Sequence, residues 1–230
     1  MSDIHFIIAL NFTIVLKKQH YIKELISQGE GLHLDFKFEV SDAPKIARSL
    51  VAFANTDGGK LLIGVNDEGI IKGIRSAEEN FMIENAATNY CQPKVQFRSK
   101  EWNIKGKRVL EIDIPFSKDY PHKAPDQNGH YKAYIRYDDQ NILADSILIK
   151  IWNKEKSLKD IQLVYTEELK SILSFIVKNE PINVDDLRRH FNLSKFKAEH
   201  VLSDLIIFDV LKMEVSDTTI NFYLTDPQEI

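Results

Sequence analysis

The stretch Asn55-Thr56-Asp57-Gly58-Gly59-Lys60 holds residue types that can grip a phosphate. Backbone N–H groups at Asn55, Gly58 and Gly59 can converge on an anion, and the Lys60 ammonium can add its charge. It is not a Walker sequence, because no Gly-Lys-Ser/Thr opens a helix. Here the glycine pair follows an apolar helical pattern and precedes an apolar run. The same residues also suit a helix stop, since glycine tolerates the left-handed backbone that ends helices, and turn chemistry favours that role. A second candidate wall is Leu32 to Phe38. Period-two alternation puts Leu32, Leu34, Phe36 and Phe38 on one side and His33, Asp35 and Lys37 on an open side.

Cations come in local groups. Lys37, Lys45, Arg48 and Lys60 lie early, Arg98, Lys100, Lys105, Lys107 and Arg108 midway, and Lys118, Lys123, Lys132 and Arg136 later. Gathered on one face, they would bind phosphates despite a net charge of −4. Tyr131, Tyr134 and Tyr137 could stack bases, although aromatics on alternating strands more often belong to the core or sheet surface. The seven histidines show no H-x-x-x-H pairing, and Cys91 is the single cysteine, so neither a zinc site nor an internal disulfide is expected.

The elements that must position these groups follow from periodicity. Ile46, Leu50, Phe53 and Ala54 recur at helical spacing, with Ser41 or Asp42 as the cap and Pro44 in the first turn. Leu61–Val65 reads as a strand buried on both faces, Asn66–Gly69 as a turn and Ile70–Ile74 as the next strand. Tyr21–Gln28, Ala77–Tyr90 and Ala144–Lys156 read as helices. Strands are expected at 95–98, 102–104, 108–115 and 130–137, with a loop over 118–129. Beyond residue 160 come three helices and a β-hairpin turning at Asp217-Thr218-Thr219, the winged-helix order. Arg188, Arg189, Lys195 and Lys197 surround the turn into the third of these helices, where such a motif presents its DNA contacts. Yet residues 161–230 hold seven Lys and Arg against twelve Asp and Glu, a net of −5. Three segments result: an apolar arm over 1–20, a domain over 21–157 and a winged helix over 158–230. The arm, Ile4–Leu16, is shorter than the ~20 residues a membrane span needs. It lacks a signal-peptide layout, so no membrane role is expected, and a strand pairing with a second subunit is. With one cysteine, a cytoplasmic setting follows.

Glu30, Asp35-Phe36-Lys37, Ala52-Phe53-Ala54-Asn55-Thr56 with Gly58-Gly59, Leu62-Ile63-Gly64-Val65 and Tyr134-Ile135-Arg136 together resemble the Schlafen-type, AlbA-like DNA-binding domain family over residues 21–150. The resemblance implies an α+β fold: a mainly antiparallel sheet with flanking helices, followed here by the small winged-helix domain. It implies nucleic-acid contact, with the labels ATP binding and transcriptional regulator attached to bacterial members. The reading is a regulator that contacts DNA in preference to RNA, as a homodimer, because a palindromic site needs two readers and the apolar arm offers a pairing strand. Phosphate contacts would include Lys37, Arg48, Lys60, Arg136, Arg188, Arg189, Lys195 and Lys197. Some similar Schlafen members cut RNA with three carboxylates on a divalent metal. The matching residues are Glu30, Asp35 and Asp67, which would hold magnesium or manganese for a nuclease. Two departures stand out. Asp35 replaces the usual glutamate, and Tyr137-Asp138-Asp139-Gln140-Asn141 brings two acids where members commonly have Gly and Ser.

Overall fold

Helix α2 (Ala43–Asn55) starts where Asp42 accepts the Lys45 N–H at 3.1 Å, and its Ile46, Ala47, Leu50, Val51 and Phe53 are buried. Each such Leu, Ile or Phe contributes about 1.5–3 kcal/mol by leaving water. The computed structural model describes residues 20–76, 78–157, 163–216 and 219–225. The chain divides into two compact units, one ending at Leu143 and the other starting at Ala144.

The first unit is built on a four-stranded sheet in the order β1 (Leu34–Lys37), β2 (Gly59–Ile63), β4 (Lys107–Ile114), β3 (Arg98–Ile104). β1 runs parallel to β2, and the other pairs are antiparallel. One face, with Leu61, Ile63, Leu110 and Ile112, packs with α2 and with α3 (Glu78–Asn89). The opposite face, with Phe36, Leu62, Trp102 and Val109, packs with Ile22 of α1 (residues 20–28). Cover on both faces is why Leu61-Leu62-Ile63 is continuously apolar. A second, antiparallel sheet, β5 (Lys123–Pro125), β6 (Tyr131–Tyr137) and β7 (Gln140–Leu143), belongs to the same unit, with Ala124 and Tyr134 in the core around α2. The fold is α+β with mainly antiparallel sheets.

Four local expectations change. Residues 70–74 make no strand: Ile71 bridges Val65, and the Lys72 and Gly73 N–H groups both donate to the Gly64 carbonyl, curling the chain. β3 is one strand from 98, and 95–97 lie outside it. The loop over 118–129 includes β5, and β7 follows a tight turn at Asp138, whose φ is 51°. Phe38 is not on the buried side of β1, which ends at Lys37; it is 41% exposed beside the Arg75 guanidinium.

The second unit holds α4 (Ser146–Lys156), α5 (Glu167–Asn179), α6 (Val184–Phe191), α7 (Lys195–Ile207) and the hairpin β8 (Leu211–Val215) and β9 (Ile220–Leu224). Asn183 opens α6 in a capping box with Asp186, and Ser194 caps α7. The core contains Ile147, Ile151, Leu169, Ile172, Ile176, Leu187, Leu202 and Phe222. So α4, which the sequence assigns to the segment ending at 157, buries its apolar side in this unit's core. It is tied to α7 by Lys150–Glu199 at 3.0 Å and Lys154–Asp204 at 2.6 Å. The apolar arm through residue 19, its subunit-pairing strand and the hairpin tip at 217–218 lie outside the described residues.

Candidate functional site

Asn55 ends α2 inside the protein rather than at a ligand. Its Nδ2 donates to the carbonyls of His122 at 2.8 Å and Tyr134 at 2.9 Å, and its Oδ1 accepts the His122 N–H at 2.7 Å. The Gly58 N–H donates to Phe53 O at 2.9 Å, and the Lys60 N–H to His33 O at 2.9 Å. Gly58 has φ 72°, and a Cβ there would stand 2.7 Å from the Ile114 carbonyl oxygen. Gly58 is therefore needed for a left-handed turn pressed against the end of β4, and at Gly59 a Cβ would run into the Phe53 ring and the His33 carbonyl oxygen. Asn55 and Gly58 place their donors inside the fold, and the phosphate cradle expected of Asn55, Gly58 and Gly59 gives way to a helix stop.

Asp35 does not face solvent. Its side chain lies on the α2 side of the sheet beside its register partner Leu61, and it is 3% exposed. Lys37 Nζ pairs with its Oδ1 at 2.9 Å, while Oδ2 is buried without an N–H or O–H donor. Glu30 supplies one. Its Oε1 accepts the Phe36 N–H at 2.7 Å. Burial first, and then hydrogen bonding with Asp35, push its pKa up to about 7. In its protonated form Glu30 is the carboxyl group of this cluster able to donate to Asp35.

Arg136 completes this cluster and cannot serve as a phosphate contact, because it is 3% exposed. Its Nη2 donates to Gly31 O at 2.7 Å, its Nη1 to Asn141 Oδ1 at 3.0 Å, and its guanidinium lies 4.8 Å from the centre of the Phe53 ring. Burial lowers its pKa, while the charges of Asp35 and Glu30 pull it back up. Asp67 stays outside, exposed in the Asn66–Gly69 turn. Among the described residues no group of three His, Cys, Asp or Glu side chains stands close enough to share a metal ion. Glu30, Asp35 and Asp67 thus do not fit a three-carboxylate magnesium or manganese site; a guanidinium takes the place beside the first two.

The remaining predicted cations divide by partner. Arg188 meets Asp185 at 2.6 Å, Arg189 meets Asp186 at 3.0 Å, Lys195 meets Glu199 at 3.5 Å and Lys197 meets Glu168 at 2.6 Å. Lys60 turns to the α1 side of the sheet, to Glu111 at 3.0 Å and Asp113 at 2.8 Å. Burial disfavours its charge, but hydrogen bonds to Asp113 and Glu111 outweigh that and raise its pKa. Arg48 is half-buried on α2 without an ion partner among the described residues.

What periodicity divides in two is the edge strand β3 (Arg98–Ile104), expected as separate strands at 95–98 and 102–104. Residues 94–108 hold Lys94, Arg98, Lys100, Lys105, Lys107 and Arg108 against Glu101 alone. The two-residue turn Lys105-Gly106, both with positive φ, fixes the β3–β4 register. That register sets Arg98 opposite Asp113, Lys100 opposite Glu111 and Trp102 opposite Val109. Glu111, 5% exposed, accepts from Tyr21 Oη at 2.7 Å, Trp102 Nε1 at 2.7 Å and Lys60 Nζ. Burial, then the hydrogen bond to Glu111, raise the Tyr21 pKa. Above this network opens a cleft of about 500 Å³ lined by Tyr21, Lys60, Arg98, Lys100, Trp102 and Asp113 among others. The alternation on either side of Lys105-Gly106 was the available signal, because a two-residue turn pairs the strands without slack.

Residues 30–145 match the model of the family described as Schlafen, AlbA_2. No curated protein matches. Among solved structures, the DIP2311 protein from Corynebacterium diphtheriae aligns with 54% of this chain at 22% identity and a TM-score of 0.40. This chain spans 24% of that protein's length. The N-terminal domain of a protein named as RecG-related, from Nitrosomonas europaea, aligns with 54% of this chain and 95% of its own at 22% identity and a TM-score of 0.35.

Proposed function

The chain belongs to the Schlafen, AlbA_2 family, and on that premise we propose that it is a nucleic-acid-binding protein whose main contact surface is the edge strand β3. The observation that carries this reading is the charge of residues 94–108, six cations against one carboxylate on β3, its flanks and the start of β4, with β3 at the sheet edge among the described residues. Among the described residues Lys94, Arg98, Lys100 and Lys105 have no carboxylate partner, so a phosphate would not have to displace one. The four cations around α6 and α7 differ. Exposed ion pairs are worth only ~0.2–1 kcal/mol, so phosphates can compete for them, but the displaced carboxylates stay nearby and repel.

The finer reading is a DNA-binding transcriptional regulator in which the three helices and hairpin of the second unit act as a winged helix. A palindromic duplex would call for a homodimer. A cytoplasmic setting belongs to the same proposal; among the described residues no helix is long and apolar enough to cross a membrane. ATP binding is not carried forward, because the Gly58 N–H and the Lys60 ammonium already have partners. Fluorescence anisotropy of labelled single- and double-stranded DNA and RNA, over a salt series, tests the core claim. Affinity should fall steeply with salt, and Lys94→Glu with Lys105→Glu should weaken it by at least tenfold. Lys195→Glu with Lys197→Glu should weaken duplex binding only if α7 reads DNA. No binding of any nucleic acid at low salt would refute the proposal.

A further inference from the structure

Trp102 lies in the cleft beside β3 with its edge and one flank fixed. Its Nε1 is held by Glu111 at 2.7 Å, and the Tyr21 ring packs against it at 5.1 Å between centroids. The third neighbour is the Lys100 ammonium, 3.9 Å from the ring centre. That contact is of a different kind. Lys100 is exposed, its stem is flexible, and it has no carboxylate partner among the described residues. An exposed ammonium over a ring at the wall of an open cleft is exchangeable. Arg98, two residues earlier on the same side of the strand, lines the same cleft.

We propose that this cleft is a single-strand nucleotide subsite, in which a base stacks on the Trp102 ring and the adjoining phosphate is held by Arg98 and Lys100. The inference rests on the nucleic-acid reading above and locates a contact within it. A base carries a π face that stacks on an aromatic side chain whatever its sequence, and it takes the place of the Lys100 ammonium. The released ammonium then swings to the phosphate beside Arg98. The platform needs no rearrangement, because Glu111 and Tyr21 already fix the indole, so little ordering cost falls on binding. A cleft of about 500 Å³ is within the size range of small-ligand sites. Trp102 is 7% exposed, and that recess selects against duplex, whose bases are already stacked and cannot enter.

The chain has two tryptophans, Trp102 and Trp152, so Trp152→Phe in the full chain makes Trp102 the sole reporter, with circular dichroism confirming the fold. A fluorescein-labelled oligothymidylate of about twelve nucleotides is titrated while indole emission and anisotropy are read together. The expected result is quenching of Trp102 that saturates with the anisotropy signal, and no quenching by a duplex of equal length. In the otherwise native chain, Arg98→Ala and Lys100→Ala should each weaken binding about fivefold or more. Together they should lower the slope of log affinity against log salt by about 0.7, the value for one phosphate contact on a single strand. If anisotropy rises while Trp102 stays silent, or both variants keep native affinity, the chain binds nucleic acid elsewhere and the subsite is refuted. If anisotropy stays flat for every nucleic acid at low salt, the wider reading fails and the subsite falls with it.

Discussion

Asn55 and His122, 67 residues apart in sequence, hold one another by two hydrogen bonds: Asn55 Nδ2 donates to His122 O at 2.8 Å, and the His122 N–H donates to Asn55 Oδ1 at 2.7 Å. The asparagine thereby joins the end of α2 to the segment leading into β5, and its second N–H reaches Tyr134 on β6. His122, 1% exposed, is itself placed by Ser117 Oγ and Pro93 O, each at 2.7 Å. Asn55→Ala leaves a buried N–H and two carbonyls without these partners. At roughly 1–3 kcal/mol for each polar group stranded, the expected loss is about 3 kcal/mol, read as a lower urea midpoint for the first unit. A change within about 0.5 kcal/mol would mean that water or a shifted backbone replaces the side chain.

The Glu30–Asp35 pair predicts how stability depends on pH. The folded protein raises Glu30 from 4.5 to about 7, so between those values the folded state binds the proton that the unfolded state releases. Stability from this group is full below about 4.5 and is lost as pH rises through 7. Glu30→Gln keeps an acceptor for the Phe36 N–H and offers Asp35 a permanent donor. Urea unfolding across that window should slope downward with pH in the native chain and be flatter in the variant. Equal slopes in both would rule out Glu30 as the group that titrates.

Glu111 is the acceptor on which the β3 cleft depends. Glu111→Ala strands the Trp102 Nε1–H and the Tyr21 hydroxyl, and leaves Lys60 with Asp113 as its remaining ion partner. The expected cost is about 3 kcal/mol, with a changed Trp102 emission maximum in the folded variant. Tyr21→Phe, which removes one donor and no acceptor, should cost only about 1 kcal/mol. If the two variants lose equal stability, Glu111 is not the hub of the network.

Cys91 is 3% exposed, and burial pushes its thiol up to about 12. The thiolate is the reactive form, so an aromatic disulfide reagent at pH 8 should leave the folded chain untouched. It should modify one thiol per chain once urea unfolds the first unit. Rapid labelling under native conditions would place the sulfur near the surface instead.

The local elements were largely legible because their causes are local. Asp42 with Pro44 starts α2, Asn55 to Gly59 stops it, and Asn183 and Ser194 open α6 and α7, since capping and turn preferences act within a few residues. The alternation of residues 107–114 and 131–137 marks β4 and β6 for the same reason. The short β5 and β7 were not legible, being strands only by virtue of pairing with β6. Residues 70–74 show the converse, an apolar run that curls around Gly64 rather than pairing as a strand.

Alternation assigns a residue to a face, but it does not say what covers that face. Asp35 and Lys37 were correctly placed opposite Leu34 and Phe36, yet only the tertiary fold brings Arg136 from β6 over Asp35 and makes the site a buried ionic cluster. Charge type is likewise local and partner choice is not. Lys60 sits in the glycine turn by sequence, but strand parity sends its ammonium to the opposite side, to Glu111 and Asp113 on β4. The sequence alone determined the family stretch, the helix caps and the concentration of charge over residues 94–108. The tertiary structure decided which of those charges are already paired and which line an open cleft, because ion pairing depends on distances between strands that no short-range pattern encodes.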